Sequence, residues 1–303
     1  MLVSGALSLT PSVAGGVWYG GRGLHAGGST ANVTIDYITI ATPSNSTDFG
    51  DLTASMEDYG SGCSDSSRGV WGGGYRGGWS NIIDYITIAT TGNATDFGNL
   101  TQARRENGAC SDGTKGVWAG GWNGGYLDTI DYITIATIGN ATDFGNLTVA
   151  RTEPQGCSDG TKGVFAGGKN SSGVKVDTID YITIATTGNG TDFGNLTDAR
   201  WGCGTCSDTT RGVFAGGQDV SLIDIIDYIT IATTSNATNF GNVSFSRYGS
   251  TGVSDGTYGV FSGGWNGGYL DTIDYITIQT TGNATDFGDL TRTSHRGGGM
   301  SGD

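Results

Sequence analysis

The stretch ACSDGTKGVWAGGWNGGYLDTIDYITIATIGNATDFGNLTVAR, residues Ala109–Arg151, carries one unit of a pattern that runs through the 303-residue chain. Its centre, IDYIT or a near copy, recurs with its aspartate at Asp36, Asp84, Asp131, Asp180, Asp227 and Asp274, so the steps are 47 to 49 residues. A period of that size accommodates four short strands per unit. Strand a is read around Cys110. The segment Ser111-Asp112-Gly113-Thr114 is a turn, because Asp and Gly supply the side-chain bond and the free backbone that turns need. Strand b is read as Gly116–Ala119, closed by Gly120-Gly121. After the loop WNGGYLDT comes strand c, Ile130–Thr137, rich in β-branched residues. Gly139-Asn140 turns the chain into strand d, about Thr142–Thr148. No stretch keeps an apolar period of 3.6, so almost no helix is expected.

Composition fits this reading. Glycine supplies 57 residues and proline 3, while only 36% of residues are hydrophobic. The glycines do not fall at every third place, which excludes collagen. Aromatics at 10% argue against a disordered chain. Strand c is apolar on both faces apart from its Asp and Thr, as expected for a sheet packed between two neighbours. A net charge of −14 excludes nucleic acid and anionic lipid as expected partners. No apolar run reaches 18 residues, so no transmembrane helix is expected. The segment MLVSGALSLTPSVAGG lacks any basic residue and reads poorly as a signal peptide.

The order of an apolar strand ending in Gly-Gly, an extended strand and an aromatic opening a fourth strand resembles the kelch repeat. The doublets are Gly27-Gly28, Gly73-Gly74, Gly120-Gly121, Gly167-Gly168, Gly216-Gly217 and Gly263-Gly264. Phe49, Phe97, Phe144, Phe193, Phe240 and Phe287 stand where kelch units carry Trp, and the kelch Tyr has no counterpart at its usual spacing. The near-identical units GVFAGG…IDYITIATTGNATDFGNLT also resemble kelch-like repeats in structural proteins of tailed phages and large viruses. The resemblance implies one all-β propeller domain over residues 1–303. Its repeats run about 15–60, 61–107, 108–154, 155–203, 204–250 and 251–297. Strands b and c occur six times each, while a d-like stretch recurs in Leu2–Thr10 and an a-like one in Gly298–Asp303. Either six blades close with the spare ends joining the ring, or both termini build a seventh, two-stranded blade; six is the favoured count.

Several catalytic-looking motifs lose their force in the repeat. Asp-Phe-Gly recurs at Asp48, Asp96, Asp143, Asp192 and Asp286, with Asn239 in the remaining unit, and no other part of a kinase signature is present. Gly156–Gly160 and Gly252–Gly256 fit G-x-S-x-G, but a strand follows each. His25 stands where other units place Trp71, Trp118, Phe165, Phe214 and Phe261, so it is read as packing; His295 lies in a loop and is open to a ligand. Two histidines do not make the copper site of kelch-type oxidases. Cys63, Cys110, Cys157 and Cys206 share one position, held by Val17 and Val253 in the other units, which predicts small, buried, free thiols. Cys203-x-x-Cys206 is a weak redox or metal signal. The Asn-x-Ser/Thr sites, among them Asn93, Asn99, Asn140 and Asn146, fall on turn and strand positions that the fold wants anyway.

A four-stranded meander puts the near-constant a–b and c–d turns on one rim and the variable b–c and d–a loops on the other. Recognition is expected on the variable rim. Its candidate binding residues are Tyr75, Trp79, Trp122, Tyr126, Trp201, Tyr248, Trp265 and Tyr269 with Arg104, Arg105 and Glu106. Aromatic faces beside polar groups suit sugars and protein partners alike. Trp122 to Tyr126 also reads as a hairpin tip with a cross-strand aromatic pair, and the recurring Arg as a partner of the strand-c Asp. No cofactor or metal is expected. The resemblance implies a non-enzymatic virion protein, a fibre or capsid-surface component present in many copies. The alternatives are a cellular or secreted glycan- or protein-binding module, and an enzyme acting on carbohydrate through Glu57, Asp58, Glu106 or Glu153.

Overall fold

The computed structural model describes residues 19–28, 32–57 and 60–302, and among them there is no helix. Six four-stranded antiparallel sheets form a β-propeller. Blades 2 to 6 each use four consecutive main strands. Blade 2 is Ser61–Ser64, Arg68–Gly72, Ile82–Thr87 and Thr95–Asn99, and blade 3 is Gly108–Ser111, Lys115–Trp122, Tyr126–Thr134 and Thr142–Asn146. Blade 4 is Gln155–Ser158, Lys162–Ala166, Thr178–Thr183 and Thr191–Asn195, and blade 5 is Gly204–Ser207, Arg211–Ala215, Ile225–Thr230 and Thr238–Asn242. Blade 6 is Thr251–Ser254, Tyr258–Ser262, Leu270–Thr277 and Thr285–Ser294.

Blade 1 joins residues 22–51 to residues 298–302. Its strands b to d are Arg22–Ala26, Thr34–Thr39 and Thr47–Asp51, while its inner strand is Gly298–Gly302. Met300 lies opposite Leu24 there, as Cys63 lies opposite Val70 in blade 2. The C-terminal segment therefore closes a ring of six, and the place assigned from sequence to Val17 belongs to Met300. Val17 and Leu2–Thr10 lie outside the described residues.

Strand limits differ from the sequence reading where turns and hairpins intervene. Strand c of blade 3 ends at Thr134, because Thr137 N–H already bonds Thr134 O in a turn at 3.0 Å. Strands b and c of that blade also run on into their hairpin, so the expected loop is largely paired. Strand d stops at Asn146. The Asp-Phe-Gly motif lies at a β-bulge: Ile130 pairs with Gly145 and Asp131 with Asp143, leaving Phe144 as the extra residue. Its ring meets Tyr132 edge-on at 5.8 Å. A Cβ on Gly145 would collide with Gly188 O of the next blade.

Each interface between blades holds one apolar cluster. Between blades 2 and 3 it contains Cys63, Val70, Ile83, Phe97, Trp118 and Ile135, all buried. Burying one such large side chain stabilises by about 1.5–3 kcal/mol. The strand-b glycine keeps neighbouring blades close. A Cβ on Gly116 would lie 2.7 Å from Cys63 Sγ, and one on Gly163 would lie 2.5 Å from Cys110 Sγ. All five cysteines are free and buried, as expected for Cys63, Cys110, Cys157 and Cys206, and burial pushes their thiols above the usual range.

Candidate functional site

The repeated polar residues belong to blade-to-blade contacts. Asp131 is wholly buried and accepts bonds from Thr101 Oγ1 at 2.6 Å and Arg104 Nη2 at 3.0 Å, both from the preceding d–a connection. Arg104 Nη2 also donates to Trp118 O at 3.2 Å. Arg151–Asp180, Arg200–Asp227 and Arg247–Asp274 repeat this pair at 2.7 to 2.9 Å, with every side chain closed to solvent. Where Met56 replaces the arginine, Arg76 reaches Asp84 from the b–c hairpin at 2.8 Å. Where Ser294 replaces it, Arg292 Nε stands 3.8 Å from Asp36. The expected Arg–Asp pairing is therefore present, and Arg104 lies beneath the rim surface rather than on it.

Other marked residues also serve the ring. The turn asparagine of each blade clasps strand d of the blade before it: Asn140 Oδ1 accepts from Asn99 N at 3.0 Å, and Asn45 Oδ1 closes the circle on Asp289 N at 3.0 Å. Ser158 and Ser254, from the G-x-S-x-G look-alikes, belong to a buried set of inner-strand serines. Ser111 Oγ donates to Ser64 O at 2.7 Å, and Ser64 Oγ to Ser301 O at 2.5 Å. These strands line an axial cavity of about 120 Å³. His25 is buried between Ser262 Oγ (2.9 Å from Nδ1) and Ser294 Oγ (2.7 Å from Nε2). Ser294 Oγ donates to Gly27 O at 3.3 Å, so the neutral ring with its proton on Nε2 satisfies all three contacts. Burial, helped by Arg292, lowers this histidine to about 3.

The variable rim is built of short hairpins, each laced to the preceding d–a loop. Tyr75 bridges Trp79 and Trp265 bridges Tyr269 across hairpin tips, while Arg105 pairs with Trp122, Trp201 with Gln218 and Tyr248 with Trp265. Trp122 and Tyr126 meet edge-on at 4.8 Å, so the cross-strand bracing foreseen for this tip is present. Trp79 is 47% exposed and its ring crosses Gly124 of the next hairpin. The predicted aromatics fall into two groups. Tyr75, Trp79, Trp122 and Tyr126 follow blades 2 and 3, with the Arg105 guanidinium 5.6 Å from the Tyr75 ring centre. Trp201, Tyr248, Trp265 and Tyr269 form a second group with His295: Tyr248 lies 4.7 Å from both Trp201 and His295 and 5.7 Å from Trp265, and Tyr269 stacks on His295 at 5.7 Å. Trp201 is buried and Tyr269 is 47% exposed. Burial and the nearby Arg296 lower His295 to about 3.

Sequence reasoning missed two members of the second group. Lys169 Nζ sits 3.1 Å from the centre of the Trp201 ring, and Arg296 lies over Trp201 and Tyr248 at 5.7 and 5.5 Å. Superposing the repeats would have marked Arg296, because it holds the place of Gly202 and Gly249 and shares their left-handed backbone (φ 68°, 69° and 69°). Glu106 and Glu153 take the same conformation at φ 61° and 55°. Such a backbone is strained for a residue with a Cβ. These loops are tied to one another by Glu153 N to Glu106 O at 2.6 Å, Gly249 N to Gly202 O at 2.7 Å and Arg296 N to Gly249 O at 2.7 Å. Of the loop acids, Glu57, Glu106 and Glu153 lie in different d–a connections, and Asp58 lies outside the described residues. Among the described residues, no three His, Cys, Asp or Glu side chains converge as a metal site would need.

No protein-family model matches this chain, and no curated protein matches it.

Proposed function

We propose that this propeller is a non-enzymatic binding protein that meets its partner through the rim of b–c hairpins and d–a loops. The observation that carries the reading is a division of labour. Asp, Arg, Asn, Ser, Cys and Gly at repeated positions are engaged in holding blade to blade, whereas the aromatic and charged residues of the rim differ from unit to unit. Rings with polar edges beside charged groups suit a glycan or a protein surface. The acidic balance of the chain speaks against nucleic acid as the partner.

Tandem near-identity of the units supports the further reading of a virion component, a fibre or capsid-surface protein displayed in many copies. A cellular or secreted binding module is the alternative that the same rim supports. Mass spectrometry of purified particles from the source tests the virion reading: the chain is expected among their proteins, and its consistent absence would refute that reading. A glycan array and a pull-down with the intact chain test the rim, with Trp122→Ala and Trp265→Ala expected to weaken binding. Binding unaffected by both changes, or a carbohydrate turnover lost in Glu106→Gln, would contradict it.

A further inference from the structure

The octapeptide WNGGYLDT occurs twice in the chain, as Trp122–Thr129 and as Trp265–Thr272. Both copies form b–c hairpin tips on the variable rim, one in blade 3 and one in blade 6. Identical residues therefore meet two different surroundings within one molecule. Each tip holds an Asn-Gly pair, and glycine after asparagine leaves the following main-chain nitrogen unshielded by any side chain. In blade 3 the pair is held. Asn123 Nδ2 donates to Gln102 Oε1 at 3.1 Å, and Gln102 is itself fixed by its Nε2 bond to Thr129 Oγ1 at 2.8 Å. The Trp79 ring lies over Gly124, where a Cβ would come within 3.0 Å of it. In blade 6 Phe245 stands at the place of Gln102 and is 53% exposed. It offers no acceptor, and the Asn266 carboxamide has no hydrogen bond among the described residues. A Cβ on Gly267 would meet nothing within 4 Å. Asn266 is exposed, whereas Asn123 is half-buried.

We propose that Asn266 is a site of spontaneous deamidation and that Asn123 is protected from it. The main-chain nitrogen of Gly267 attacks Asn266 Cγ and loses its proton. The bond from Cγ to Nδ2 breaks, and Nδ2 leaves as ammonia with that proton, closing a succinimide ring. Water then opens the ring at either carbonyl and leaves an aspartate or an isoaspartate. No oxidant or reductant takes part. The product adds one negative charge to a chain of net charge −14, at the tip where Trp265 pairs with Tyr269. Attack requires the carboxamide to swing onto the next nitrogen, and at Asn123 that swing breaks the bond to Gln102. The other two Asn-Gly pairs are closed to the reaction. Gly190 N donates to Asn146 O at 2.7 Å, while Asn189 Oδ1 accepts from Asn146 N at 3.1 Å. Asn107 is buried, with its Nδ2 donating to Gly72 O at 3.2 Å. None of this depends on which partner the rim binds.

Ageing the intact folded chain at mildly alkaline pH, then cleaving it with trypsin for mass spectrometry with fragmentation, tests this. The two tips fall in different tryptic peptides, residues 116–151 and 248–292. Asn266 is expected to become an acid on the order of fivefold faster than Asn123, because only Asn123 must first give up a hydrogen bond. Asn107 and Asn189 are expected to remain amides over the same time. In denaturant the two tips, being identical in sequence, are expected to react at one rate. Gln102→Ala is expected to speed the reaction at Asn123 several-fold and to leave Asn266 as it was. Equal rates at the two tips of the folded chain, a faster reaction at Asn123, or a Gln102→Ala variant with Asn123 unchanged overturns the proposal. A folded chain in which Asn266 stays an amide while the denatured chain reacts overturns it as well.

Discussion

Asp227 shows how one residue type holds the ring. Its carboxylate is closed to solvent, accepts from Thr197 N and Oγ1 at 3.0 and 2.8 Å, and meets Arg200 at 2.9 Å. Burying both ions costs desolvation that their attraction and hydrogen bonds must offset, so losing one partner is worse than losing both. Asp227→Asn leaves Arg200 buried without its counter-ion and is expected to cost about 3–5 kcal/mol in urea unfolding. Glycine contributes in the opposite way, by absence. Gly163→Ala would press a methyl against Cys110 Sγ and cost about 1–3 kcal/mol. Cys110→Ala in the same chain makes room, so the double variant is expected to be less destabilised than the two separate losses added together. Simple additivity would show that the sulfur is not what fills the space.

At the scale of elements, the seam between blades 6 and 1 is the irregular wedge. His25 stands where other wedges carry an aromatic and Ser294 where four of them carry an arginine, and Asp36 is left with the more distant Arg292. Free imidazole titrates near 6.5, but folded His25 binds a proton only near 3. The unfolded chain therefore takes up that proton first. The stability His25 contributes is full above pH 6.5 and is lost as pH falls toward 3, at about 1.4 kcal/mol per pH unit. His295 has the same direction, whereas burial raises Asp36 and opposes them at low pH. His25→Phe is expected to flatten the fall in unfolding free energy between pH 7 and 5, and an unchanged slope would contradict the assignment. In sequence, the four-strand unit was legible because β-branched runs and Gly-Gly doublets recur with one period. Strand ends and bulges were not, because they depend on where the next blade presses, as Gly188 does on Gly145. The rim aromatics were visible as residue types. The tie of Lys169 to Trp201 was not, since it crosses between two units that share no motif there.

For the whole molecule, closure is the property on which everything else rests. A propeller with an open seam would expose strand edges and an apolar wedge, and its rim would lose the fixed spacing of its loops. Here residues 298–302 pair with Arg22–Ala26 along the inner side of blade 1, and Met300 fills the slot that cysteine or valine fills elsewhere. Residues 22–26 and 298–302 are far apart in sequence and adjacent in the ring, and the join was legible only because Gly298–Asp303 reads as a spare strand a. The rim cluster around His295 depends on the same join, because His295 and Arg296 lead directly into the closing strand.

Thermal unfolding of a chain lacking residues 298–303, compared with the intact protein, tests that closure most directly. The six-bladed ring sealed by its C-terminal strand predicts a fall in Tm on the order of 10 °C or more, or loss of the folded state. An unchanged Tm with an unchanged far-ultraviolet spectrum would show that the last strand does not close the ring.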